Sequence, residues 1–137
     1  ALHAARAQLA SLEQRCGPPL LARAAEEHAG PHAAWFWDPL QQGGGVLSDM
    51  GCHSIALAWA LLSPAGGDPL ALEPISAQCE LALLKWGREP HRSALRERFG
   101  VDYARTPAED FASGTIRFRD RASGREALGQ FTTSWMN

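Results

Sequence analysis

The chain has 137 residues, 45% hydrophobic, 20% charged and 8% aromatic, with a formal net charge of -2. That length builds one domain with a real core rather than two, and the apolar share excludes a disordered chain. Without a basic excess, neither a nucleic-acid partner nor an anionic membrane surface is expected.

The finer composition holds 24 Ala and 12 Arg against one Lys, Lys85, and one Asn, Asn137. GC-rich codons give that bias, which points to a GC-rich, bacterial genome. Val and Ile total only five, so strands must be read from alternation rather than from β-branched content. The odd count of three cysteines, Cys16, Cys52 and Cys79, with no C-x-x-C, reads as free thiols in a reducing cytoplasm. No run resembles a signal peptide or a membrane span. The chain opens inside a helical pattern and stops just after a strand-like run, as an excerpt of a longer polypeptide would.

Leu2, Ala5, Leu9 and Leu12 recur at spacings of three and four, which predicts an amphipathic helix stopped by Cys16-Gly17-Pro18-Pro19. A strand is expected over Leu20 to His28, broken by Ala29-Gly30-Pro31. His32 to Gly45 reads as a loop carrying Trp35-Phe36-Trp37-Asp38-Pro39 and three glycines. A second helix is expected from Val46 or Ser48 to Leu62, ended by Ser63-Pro64-Ala65-Gly66-Gly67. Ile75, Ala77, Cys79, Leu81 and Leu83 alternate with other residues and predict a half-buried strand. A short helix over Ser93 to Phe99 stops at Gly100. Two further alternating runs, Ala112 to Arg119 and Ala127 to Trp135, flank a polar turn and predict a β-hairpin. This order implies an α+β fold rather than a doubly wound parallel sheet.

Candidate chemistry centres on Gly43-Gly44-Gly45-Val46-Leu47-Ser48-Asp49-Met50-Gly51-Cys52-His53. On a helix, the i, i+4 spacing puts Asp49 and His53 on one face. A carboxylate near an imidazole orients the ring and favours its charged form, which suits His53 to accept a proton. The structural alternative is a capping Asp49 and a helix histidine that does no chemistry. Gly51 leaves room for a close approach. His28 and His32 bracket Gly30-Pro31. With Asp49 and His53 they could form a small metal-dependent hydrolase site, but the spacing matches no common ligand pattern, and no metal is expected. Trp37 either lines a ring-shaped substrate or packs, and Phe36 is expected to pack. No phosphate-binding glycine fingerprint occurs, and Arg92, Arg96 and Arg98 read as a solvated helix face.

The run from His28-Ala29-Gly30-Pro31-His32 through Trp35-Phe36-Trp37-Asp38 to Gly43-Gly44-Gly45 and Ser48-Asp49-Met50-Gly51-Cys52-His53 resembles the second domain of Gfo/Idh/MocA oxidoreductases. The resemblance reaches from the helix and turn at Leu9 to Gly17 to the hairpin between Glu109 and Trp135. It implies an open, mostly antiparallel sheet with helices on one face, here lacking the last strands. It implies NAD or NADP as cofactor, held mainly by an N-terminal Rossmann domain absent from residues 1–137. By position it makes His53 the proton acceptor and Asp49 its partner, with His28, and by extension His32 and Trp37, against substrate. Lys85 cannot replace the family's missing catalytic lysine.

The expected function is therefore the substrate domain of a cytoplasmic dehydrogenase acting on a sugar, inositol or polyol, inactive as this fragment alone. The alternative is a non-catalytic binding module in which the open sheet pairs copies into a homo-oligomer.

Overall fold

The computed structural model describes residues 2–64 and 68–137. Helix α1 spans Leu2–Cys16 and β1 Leu21–Glu27, followed by a 3-10 turn at Ala34–Trp37 and a short α2 at Pro39–Gln42. Helix α3 runs Val46–Leu62, β2 Leu72–Ala82, α4 His91–Phe99, β3 Phe111–Asp120 and β4 Glu126–Ser134. The break expected after α3 falls partly on residues 65–67, outside the described residues.

The four strands form an open sheet in the order β1-β4-β3-β2. Leu128 N–H bonds to Leu20 O and His28 N–H to Ser134 O, so β1 runs parallel to β4. Asp110 N–H to Ala82 O and Arg121 N–H to Ala71 O run in opposite senses, so β2 is antiparallel to β3. The β3–β4 hairpin that the alternation predicts completes a mixed sheet, open and mostly antiparallel as the resemblance implies.

Two compact units share these elements. The first comprises residues 1–24, 55–78 and 114–131. Its core sets Ala58 and Leu62 of α3 with Ala22 and Ala24 of β1, Leu72, Phe118 and Ala127. Small alanines recur at every second position of β1, with Arg23 pointing the other way to Gln130, 2.7 Å from its side-chain oxygen. The second unit comprises residues 25–54, 79–113 and 132–137. Its core gathers Trp37, Val46, Met50, Leu95, Tyr103, Ala112 and Trp135.

Helix α1 has no fully buried residue, but Ala5, Leu9 and Glu13 recur four apart at intermediate exposure, the amphipathic face that the spacing predicts. One element departs from expectation. The half-buried β2 is exposed along nearly its whole length, with Leu81 at 51%. Its place at the sheet edge is the physical reason: only β3 packs beside it.

The hairpin turn is held by Asp120. Its Oδ1 accepts from Ser123 N–H and Ser123 Oγ, both at 2.7 Å, and from Ala122 N–H at 3.2 Å. These bonds, those from Ser123 foremost, hold its carboxyl below the usual carboxylate range. A depressed folded value means that the bonds stabilise above the unfolded value of about 3.9 and lose that effect as pH falls through the folded one. Thermal unfolding of the chain between about pH 5 and 2 should therefore fall more steeply than that of Asp120→Asn, which carries no such titration. Parallel curves would remove this role.

Candidate active site

The candidate site residues His28, His32, Trp37, Asp49 and His53 all lie in the second unit. The glycine run shapes the entry to α3. Gly43 ends α2 in the left-handed region, at φ 95. Gly45 lies under Glu109, and an added Cβ would overlap the Glu109 carbonyl and carboxylate. Glu109 Oε1 accepts from Gly45 N–H at 3.2 Å and Leu47 N–H at 3.3 Å, and its carbonyl accepts from Val46 N–H at 3.0 Å. An acidic residue distant in sequence thus satisfies the free donors of the first turn of α3. The glycines admit Glu109, and Leu47 occupies the space above Gly51.

Helix α3 carries Asp49 and His53 one turn apart, but each has its own partner. Asp49 Oδ2 accepts from the Trp135 indole N–H at 3.1 Å. His53 Nδ1 lies 3.0 Å from Glu26 Oε2, with the imidazole 65% exposed. Glu26 comes from β1, on the same alternating register as Ala22 and Ala24. That register was the available signal for Glu26, which sequence reasoning missed. With Nδ1–H donating to Glu26, the ring's Nε2 is left as proton acceptor.

His28, just past the end of β1, accepts the Gly30 N–H on Nδ1 at 3.0 Å. In its neutral form the proton then sits on Nε2, which becomes a donor. His28, His32 and Asp49 line one cavity of about 430 Å³, with Pro31, Ala33 and Phe36 as its apolar wall. Polar groups converging on a small apolar cavity can orient a hydroxylated ring. His53 is not among the residues lining it.

Trp37, expected against substrate, is a core residue at 1% exposure. Its indole donates to Pro31 O at 3.2 Å, and its ring meets Trp86, Tyr103 and Trp135 edge-on. It also explains Gly30, where an added Cβ would strike the Trp37 ring. Phe36, expected to pack, faces the cavity instead. The reason is the 3-10 turn, whose roughly 120° step per residue sends neighbouring side chains to different sides.

Among the described residues, no group of three or more His, Cys, Asp and Glu side chains is arranged to hold a metal ion. No helix among them is long and apolar enough to cross a membrane. Lys85 donates to the Met136 carbonyl at 2.9 Å and lies 4.9 Å from the centre of the Trp86 ring.

The profile of the GFO/IDH/MocA C-terminal domain matches residues 4–137. No curated protein sequence matches. Among solved structures, the chain is similar to the crystal structure of GenD2 from gentamicin A biosynthesis in complex with NAD, at 24% identity and a TM-score of 0.67. The match covers 99% of this chain and 30% of that one, so the chain spans about a third of that protein's length.

Proposed function

Since this chain belongs to the family of GFO/IDH/MocA C-terminal domains, we propose that it is the substrate-facing part of an NAD(P)-dependent oxidoreductase acting on a hydroxyl-bearing carbon of a sugar, inositol or related polyol. The observation that carries this reading is the cavity where His28, His32 and Asp49 meet an apolar wall.

In this reading the reacting hydroxyl projects past Asp49 out of the cavity toward His53, which lies one turn along α3 outside the lining and takes its proton on Nε2. Glu26 steadies the imidazole by accepting from Nδ1–H. His28 donates from Nε2 to a second hydroxyl and fixes the ring's orientation. The nicotinamide supplies the hydride acceptor. The 137 residues hold no glycine-rich dinucleotide fingerprint; in this reading NAD or NADP is held mainly by a Rossmann domain N-terminal to them. The three free, exposed cysteines fit a cytoplasmic enzyme.

The exposure of β2, with Ile75 and Leu81 presented to solvent, favours a second reading as a self-associating module. One preparation separates the two. The polypeptide containing this chain and its dinucleotide domain is given NAD or NADP and a panel of sugars and inositols, and nicotinamide reduction is followed. Saturable turnover supports the oxidoreductase. No turnover, together with a dimer in sedimentation, leaves the association module.

A further inference from the structure

The second unit has another concave surface. A cleft of about 560 Å³ is lined by Trp35, Asp38 and Gln41 on one side and Asp102, Arg105 and Thr106 on the other. Trp35 is 48% exposed although its neighbour Trp37 fills the core. Its ring rests on Phe36, with centroids 3.9 Å apart. The indole is thus braced from behind while a large part of it stays open, an arrangement that packing alone does not require.

The polar groups beside it are fixed by local bonds. Asp38 accepts from Leu40 N–H at 3.0 Å and from the Gln41 side-chain amide at 2.7 Å. Asp102 accepts from Ala104 N–H at 3.2 Å and pairs with Arg96 at 3.2 Å. A carboxylate has about four acceptor positions, so both keep capacity for a ligand's hydroxyls. Asp38 and Asp102 are balanced by Arg96 and Arg105, which disfavours a strongly charged occupant. Polar walls disfavour a purely apolar one. An open aromatic face flanked by planar polar side chains in a near-neutral cleft matches the C–H face and hydroxyl rim of a sugar ring.

Trp35 lines this cleft, and Phe36, the next residue and its stacking partner, lines the His28 cavity. We propose that the cleft is a sugar-ring subsite with the open face of Trp35 as its stacking platform, separate from the His28 cavity. It rests on its own lining and not on the oxidoreductase reading.

The test uses the 137-residue chain, whose five tryptophans give five indole N–H signals in a ¹H–¹⁵N spectrum. Trp35→Phe identifies the Trp35 signal. Maltose, cellobiose, lactose and, as a single ring, glucose are titrated in turn. The expected result is a saturable shift of the Trp35 signal with at least one of these sugars. Arg105→Ala, which keeps the Trp35 reporter, should raise the midpoint of that shift while the other four indole signals keep their positions, which shows an intact fold. No saturable shift with any of the four sugars would overturn the proposal. A Trp35 response in a protein whose complete polypeptide turns over no sugar supports the subsite and removes the oxidoreductase reading. Turnover without any Trp35 response removes the subsite alone.

Discussion

Asp110→Ala should cost the chain about 3–5 kcal/mol of stability, because it leaves three part-buried backbone donors without an acceptor. The Asp110 residue is fully buried. Its Oδ1 accepts from Leu84 N–H at 2.7 Å, and its Oδ2 from Lys85 N–H and Trp86 N–H, both at 2.8 Å. Each unmet buried donor costs about 1–3 kcal/mol, discounted here because these groups are partly reached by solvent. Against a total stability of about 5–15 kcal/mol, this is a large share. Asp110→Asn keeps one acceptor oxygen but turns an amide N–H₂ toward donors, and should fall between the two. Thermal unfolding followed by circular dichroism measures both, with a fall of roughly 10 °C or more for Asp110→Ala. A loss below about 1 kcal/mol would mean that water replaces the carboxylate at no cost.

The effect should reach the candidate site. The turn that Asp110 holds carries Trp86, whose indole donates to Trp135 O at 2.7 Å and whose ring lies 5.0 Å from that of Trp37. Trp135 in turn donates to Asp49. A loosened turn therefore frees the indole that fixes the Asp49 carboxylate.

The strands were legible where small or aromatic residues alternate regularly. Ala127, Gly129, Phe131 and Thr133 fall at buried positions of β4, because period two in the sequence is period two on the pleat. Helix α3 was legible as far as Leu62 because no Pro interrupts the run, while its start stayed open between Val46 and Ser48, since Glu109, distant in sequence, caps its first turn. What stayed hidden depended on residues far apart in the chain. The short α2 begins at Asp38-Pro39, a local capping signal outweighed by the glycines that follow it. Burial of β2 could not be read from its own alternation, because an edge strand's cover is supplied by other elements.

The site was legible as a set of residues and less so as a set of contacts. The D-x-x-x-H spacing places Asp49 and His53 on one helix face, yet their partners, Trp135 and Glu26, arrive from β4's end and from β1. Helical spacing says nothing about which strand lies opposite. The exchange between Trp37 and Phe36 has the same origin, since composition alone does not choose which ring of a W-F-W turn fills the core.

His53→Ala should have the largest effect on chemistry. A positioned general base contributes about 10²–10⁴-fold to rate, and each tenfold is about 1.36 kcal/mol of barrier. The exposed His53–Glu26 pair contributes at most about 1 kcal/mol to folding, so the variant should unfold near the wild-type temperature. The decisive measurement is single-turnover hydride transfer in the polypeptide that contains this chain and the proposed dinucleotide domain, given NAD(P) and the sugar or inositol proposed as its substrate. A loss of at least about a hundredfold in His53→Ala, with unfolding unchanged, is the result this account predicts. A rate within about threefold of wild type, under about 1 kcal/mol of barrier, would contradict it.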